Sequence, residues 1–219
     1  MSKVLTIEVG FDFVCPWCLI GLRNLRVALV LLQAARPEVE VELQWRGVQL
    51  LPGIPARGLP FEDFYRHRLG SEAAMRKRQA QVLQAAEAAG VRIDYRAIGV
   101  MPNTADAHRL LAYAGRLGDP KLCGELLERL LRAYFEDGDD IGNPVVLLAH
   151  GEAVGLACPA MQAELRGAET PYRGEGAVNG HSGVPYYVIN GGPPITGAQP
   201  PDVLLAAMRG TLALHSAPQ

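Results

Sequence analysis

Four cysteines occur among the 219 residues, at positions 15, 18, 123 and 158, and the first two form the cluster Cys15-Pro16-Trp17-Cys18. Two thiols at that spacing can interconvert between a dithiol and a disulfide. If the pair opens a helix, the first sulfur lies against unpaired backbone N–H groups and the positive end of the helix dipole, which favours its thiolate. Cys15 is then the nucleophile. Cys18, one turn later and more buried, is placed to attack the mixed disulfide formed at Cys15 and release the reduced partner. Pro16 agrees with a helix start, because its missing N–H would have no acceptor in the first turn.

Plainer readings compete. Half of a structural zinc site would need further N or S ligands, four being usual. The chain has no second Cys-x-x-Cys, and the histidines at 67, 108, 150, 181 and 215 show no paired spacing. Two buried core thiols would pack well, but that account leaves the helix-start placement unexplained. Cys123 and Cys158 are read as unpaired thiols, since pairing requires the fold to bring their Cα atoms within about 7 Å. Asp137-Gly138-Asp139-Asp140 lacks the further oxygen ligands and terminal Glu of a calcium loop and reads as a polar turn. No metal is expected.

The elements that must position the pair follow from pattern. Residues 4 to 9 are apolar and β-branched and end at Gly10, a short buried strand that feeds the cysteines. After Cys18, Leu22, Leu25, Ala28, Leu29 and Leu32 recur at helical spacing up to Ala35, with Arg23 and Arg26 on the other face. From Val39, Val-Glu-Val-Glu-Leu-Gln-Trp-Arg alternates as a half-buried strand does. Three prolines and two glycines between 51 and 60 mark a loop, and helical pattern then dominates for about a hundred residues. It covers Phe61 to Gly90, a helix capped by Asn103 or Thr104 and reaching Gly115, one from Pro120 to about Phe135, one from Asn143-Pro144, and a short one from Cys158 to Leu165. Strand character returns at Val184 to Ile189, with Asn190-Gly191-Gly192 as a hairpin signal and Ile195 to Gly197 as the return; Pro201 to Leu214 is a final helix. Neither β-containing end has enough strands for a sheet, whereas together they make four. The expected architecture is α/β: one domain from residues 1–60 and 167–219, interrupted by an all-helical insertion at 61–166.

Composition narrows the partners. An apolar fraction of 49% supports a sizeable core, and 21 Lys and Arg against 23 Asp and Glu leave a net charge of -2, without the positive field that nucleic acid requires. Met1-Ser2-Lys3 runs into only four residues, Val4 to Ile7, before Glu8, too short for a signal-peptide apolar region. The longest apolar run, Val27 to Leu32, is about a third of the ~18 residues a bilayer span needs. The expectation is a cytoplasmic protein with no membrane or nucleic-acid partner; a homodimer is compatible with the sequence.

The segment Phe11-Asp12-Phe13-Val14-Cys15-Pro16-Trp17-Cys18-Leu19-Ile20-Gly21 resembles the active-site segment of the DsbA-like thioredoxin superfamily, in its FrnE-like branch. Pro102-Asn103-Thr104, Ala107-His108-Arg109, Arg132-Ala133-Tyr134-Phe135, Asp140-Ile141-Gly142, Gly183-Val184-Pro185 and Gly197-Ala198-Gln199-Pro200 are similar to family segments in the same order. The resemblance implies a thioredoxin-like core, βαβ plus ββα, with a helical insertion. It implies thiol-disulfide oxidoreductase activity with Cys15 and Cys18 catalytic, acting on disulfide- or thiol-containing proteins or small molecules. Val184-Pro185 would be the cis-proline loop opposite Cys15. Pro16, Trp17, Val184, Pro185 and His108 would contact substrate, although for His108 a hydrogen-bonded structural role competes. Asp12 would tune proton transfer or cap the turn, and Tyr134 and Phe135 would line a groove or join the core.

No cofactor is required, and glutathione is the candidate co-substrate, because the superfamily includes 2-hydroxychromene-2-carboxylate isomerases and kappa-class glutathione transferases. Those enzymes are the alternative reading; they generally have serine at the first cysteine position, so retention of both thiols favours redox work. A non-catalytic, holdase-like protein with apolar surface around the cysteine loop is the third. Two departures stand out: Leu19 replaces a common aromatic residue, and Arg166 to Ser182 is unusually rich in glycine. Strongly oxidising DsbA proteins have histidine between the cysteines; Trp17 supplies no such charge, so a milder oxidant or a reductant is expected.

Overall fold

The computed structural model describes residues 3–167, 170–174 and 183–214. Its central strand is β1 (Lys3–Phe11), in which Leu5, Ile7, Val9 and Phe11 alternate onto one fully buried face. β1 pairs in parallel with β2 (Val39–Gly47), Ile7 opposite Leu43, and a parallel neighbour requires a crossover. Helix α1 (Pro16–Ala35) supplies it. On its other side β1 pairs antiparallel with β5 (Tyr186–Ile189), which pairs with β6 (Ile195–Thr196), giving the order β2-β1-β5-β6. The turn between β5 and β6 places Asn190 and Gly191 at φ 46° and 69°, left-handed positions suited to these two residues. Helix α8 (Pro201–Leu214) completes the ββα half, so the fold is thioredoxin-like, with Leu25, Ala28 and Leu32 of α1 packed with Tyr187, Leu204, Met208 and Leu212.

At 20 residues, with only Arg23 and Arg26 charged, α1 is by length and composition able to cross a membrane, which the uninterrupted-run argument missed. Here the helix is a core element, with Cys18, Leu25, Ala28 and Leu32 buried.

Between β2 and β5 come β3 (Leu59–Pro60), α2 (Phe61–Leu69), α3 (Glu72–Ala88), β4 (Val100–Met101), α4 (Ala105–Arg116) and α5 (Pro120–Arg132). A π-helical turn (Ala133–Asp137), α6 (Pro144–Glu152) and α7 (Cys158–Glu164) follow. The stretch expected as one helical run from Phe61 is two helices. Gly70, at φ 82°, ends α2, and Ser71 caps α3 by accepting from the Ala74 N–H at 3.1 Å. Nor is the segment all helical, since β3 and β4 pair antiparallel, Leu59 opposite Met101. Its core is continuous with the reactive loop: Leu110, Leu126, Leu130, Tyr134 and Phe135 belong to the same buried cluster as Phe11, Phe13, Cys15 and Cys18. Tyr134 and Phe135, each 1% exposed, are therefore core rather than groove residues.

Candidate active site

β1 ends at Phe11, and a short buried turn delivers Cys15 to the N-cap of α1 with Pro16 in the first turn. Cys15 adopts extended backbone angles, and its carbonyl accepts the Cys18 N–H at 2.9 Å, so the helix begins at the first sulfur. No side chain caps this terminus, leaving the helix-end field directed at Cys15. The two thiols differ in access: Cys15 is 8% exposed and Cys18 0%. Burial pushes the Cys18 thiol well above the usual range, and the Cys15 sulfur, as hydrogen-bond partner and as a charge, adds to that. An N–H of the Asp12 backbone opposes the shift, while the Asp12 carboxylate reinforces it.

Opposite the cysteines the Val184–Pro185 peptide is cis, and Cys15 Sγ lies 3.8 Å from the Val184 carbonyl oxygen. Gly21, one turn beyond Cys18, leaves room for this loop: a Cβ there would fall inside the van der Waals surface of Tyr187 Oη and 2.9 Å from Pro185 Cγ. Tyr187 is fully buried with its hydroxyl unpaired, and burial, then the Cys18 and Cys15 charges, raise its pKa.

Beneath the loop lies a pair that joins the two parts of the chain. Asp12 and His108 are both sealed from solvent, with His108 Nε2 3.0 Å from Asp12 Oδ1. Asp12 Oδ2 accepts the Leu50 N–H at 2.8 Å, and the Asp12 carbonyl accepts the Cys15 N–H at 3.2 Å. The imidazole packs against Phe11 and Phe13 and stacks on Tyr172, ring centres 5.0 Å apart, and its Nδ1 has no hydrogen-bond partner. His108 is thus buried behind the turn, where it braces Asp12 from below, and Asp12 ties the turn. Sequence gives no sign of this pairing, because the partners are 96 positions apart.

Asp106 and Arg109, not singled out from the sequence, form a second tie. They pair with each other within α4, Asp106 accepts the Arg166 and Gly167 N–H groups at 2.9 Å each, and Arg109 donates to the carbonyls of Gly167 and Thr170. Gln49 adds a link by accepting the Tyr172 N–H at 2.7 Å.

Around the mouth, Trp17 is partly exposed, and the Arg78 guanidinium of α3 lies over its ring, 5.4 Å from the centroid. Tyr65 of α2 and Tyr95, both packed through Phe61, flank the same cluster. Burial and then the Cys15 charge push Tyr65 up to about 12, against the pull of Arg68 and Arg78. Burial also raises Tyr95, with the neighbouring Tyr65 next.

A family model described as a DSBA-like thioredoxin domain matches residues 6–209. The chain belongs to this DSBA-like family. Over 98% of its length and 92% of the other chain, it superposes at TM-score 0.79 and 25% identity on SCO1869 from Streptomyces coelicolor, described as a probable DsbA oxidoreductase. The cytosolic disulfide reductase DsbM from Pseudomonas aeruginosa, in a structure with GSH, gives 0.66 at 19% identity over 95% and 99% of the two chains. A 2-hydroxychromene-2-carboxylate isomerase gives 0.60 at 14% over 96% and 98%. At these identities the last two share the fold. No curated protein matches this chain in sequence.

Of the other two cysteines of this DSBA-like chain, Cys123 is buried and Cys158 is half-buried. All four cysteines are free. Cys123, on α5, points its thiol toward the Leu111 carbonyl at 3.9 Å, and burial raises it to about 11. Cys158 begins α7. Among the described residues no group of three His, Cys, Asp or Glu side chains is arranged to hold a metal ion. Asp139 and Gly138 sit in a turn, with Asp139 2.9 Å from His150. His181, His215 and most of the glycine-rich stretch before Gly183 lie outside the described residues. A cleft of about 430 Å³ runs between α1 (Leu19, Leu22, Leu29), β2 (Leu43, Trp45) and α5 (Leu127), and neither active-site cysteine lines it.

Proposed function

We propose that this chain is a FrnE-like thiol-disulfide oxidoreductase that works through Cys15 as nucleophile and Cys18 as resolving thiol. The observation that carries the reading is the asymmetry of the two sulfurs. Cys15 sits at the open end of α1 with the little exposure the pair has, 3.8 Å from the Val184 carbonyl, while Cys18 is sealed one turn behind it.

The Cys15 thiolate attacks one sulfur of a substrate disulfide; that bond breaks, a Cys15–substrate bond forms, and the departing thiolate takes a proton. Cys18 then loses its proton and attacks Cys15 Sγ, expelling the second substrate thiolate. Two electrons have passed to the substrate, and Cys15 and Cys18 are left as a disulfide; oxidation of a substrate dithiol is the same sequence reversed. The backbone at Val184 offers an extended substrate a carbonyl beside the reacting sulfur, with Pro16, Trp17 and Pro185 around it. No cofactor is needed, because both electrons reside in the sulfur pair. Glutathione is the candidate thiol to reduce Cys15–Cys18 for another turnover, a choice supported by the GSH in the DsbM structure. The cytosolic description of that protein supports a cytoplasmic setting here.

The test is Cys15→Ser. The variant should lose insulin-disulfide reduction and the refolding of reduced ribonuclease, while Cys18→Ser should accumulate a mixed disulfide at Cys15. Unchanged rates in Cys15→Ser would eliminate the dithiol mechanism.

A further inference from the structure

The helices next to the reactive loop carry cations that their own carboxylates do not neutralise. Arg66 is paired with Glu62 and Asp63, and Arg76 with Glu72. Arg68, Lys77 and Arg78 remain without a carboxylate partner among the described residues, in a chain whose net charge is -2. Two of these three bear on the site. Arg78 lies over Trp17, the residue between the two cysteines, and Arg68 and Arg78 both act on Tyr65, whose hydroxyl also feels Cys15. Asp12, the carboxylate nearest the cysteine turn in sequence, is fully buried and committed to His108 and Leu50.

A guanidinium held over an indole face by its charge leaves N–H donors that can form the fork that fits a carboxylate. Among the described residues one hydrogen bond competes for them, a 3.4 Å bond from Arg78 Nη1 to Gln81 Oε1. Cys15, two positions from the Trp17 that carries this guanidinium, is 8% exposed in a cluster with Phe11, Phe13 and Tyr65, so it admits a slender disulfide more readily than one held in a folded protein surface.

We infer that the exchange site selects small disulfides bearing carboxylates, with the Arg78 fork on Trp17 as the specificity determinant and Arg68 adding to the field. The inference rests on the exchange reading above and names its substrate class. The test mixes reduced protein with three disulfides that share a two-methylene spacer and differ in end-group charge: 3,3′-dithiodipropionate, bis(2-hydroxyethyl) disulfide and cystamine. Single-turnover loss of the Cys15 and Cys18 thiols is followed at low and high salt. Each rate is divided by that of dithiothreitol with the same disulfide, which removes intrinsic sulfur reactivity. The dicarboxylate should react about ten-fold faster than the neutral compound and cystamine slower, with the spread shrinking as salt rises. Arg78→Gln should remove most of the preference and Arg78→Glu should reverse it, whereas Arg66→Gln, on the far side of its ion pairs, should leave it intact. Equal normalised rates for the three, or a preference unmoved in Arg78→Glu, overturns this inference alone. Reaction with none of them overturns the exchange reading and the inference together.

Discussion

Gly21 offers a sharp test of how the reactive helix meets the proline loop. In an exposed helix interior, glycine to alanine is worth roughly 1 kcal/mol in favour of alanine. Position 21 is buried inside α1, and the added methyl would overlap Tyr187 Oη, lie 2.9 Å from Pro185 Cγ and 3.4 Å from the Ala198 Cα. None of these neighbours is the loose end of a flexible chain: Tyr187 is fully buried, Pro185 is a ring, and Ala198 contributes backbone. Overpacking of this kind costs about 1–3 kcal/mol, and here it must first cancel the gain in propensity. We expect Gly21→Ala to lose up to about 2 kcal/mol net, a fall in Tm of up to roughly 8 °C for a chain of this size.

Gly210→Ala is the matched control, since Gly210 is an exposed interior residue of α8 whose Cβ would meet nothing within 4 Å. It should gain about 0.5–1 kcal/mol, so the two substitutions move Tm in opposite directions. Thermal unfolding of the reduced proteins reads both. Because relief of the overlap displaces Pro185 relative to Cys15, Gly21→Ala should also lose more exchange activity than its unfolded fraction explains. A Tm raised by Gly21→Ala as much as by Gly210→Ala would refute the close packing of α1 on the proline loop.

Two further outcomes follow from buried groups. His108→Leu keeps volume but leaves the sealed Asp12 carboxylate with one partner of two, and urea unfolding should show a loss of about 3–5 kcal/mol; a change below about 1 kcal/mol would mean that the pair does not bear on folding. Alkaline pH should destabilise the protein. The folded-state pKa of Cys123 is raised by burial from 9.0 to about 11, so its contribution is whole below pH 9 and is lost as pH rises through about 11. Cys18, also raised, adds to the same trend. The urea midpoint should fall between pH 9 and 11, and less steeply in Cys123→Ala; parallel slopes would contradict the burial of that thiol.

What could be read in the sequence was what is local. The alternation in β1 and β2, the spacing of Leu22, Leu25, Leu29 and Leu32, the Asn190-Gly191 turn and the Pro residues that open helices each report a preference held within a few residues. The break at Gly70-Ser71 was equally local, and the combination of a left-handed C-terminal glycine with a serine N-cap was the available signal. β3 and β4 carry no pattern at two residues each and exist because tertiary packing brings Leu59 to Met101. The candidate site divides in the same way. Cys15, Pro16 and Cys18 were legible as a helix-start motif, but Cys15 meets Val184 across 169 positions and Asp12 meets His108 across 96, contacts that no periodicity encodes. No local pattern marks Arg78; only the fold sets it over Trp17.

That division assigns different tasks to the two parts of the chain. The thioredoxin-like core provides the sulfurs and the helix end from its βαβ half and the proline loop from its ββα half, the parts that the proposed exchange uses. The segment between β2 and β5 provides His108, which holds Asp12 under the cysteine turn, and Tyr65, Tyr95 and Arg78, which define the approach. Sliding α4 away from the sheet would strip His108 from Asp12. Cys18 need not wait for such a motion. It is three positions from Cys15 and interacts with its sulfur, so the proposed resolution requires the loss of its proton and a rotation at sulfur rather than a rearrangement of the fold. On the proposed reading, the chemistry stays constant while substitutions on α2 and α3 change which disulfides arrive.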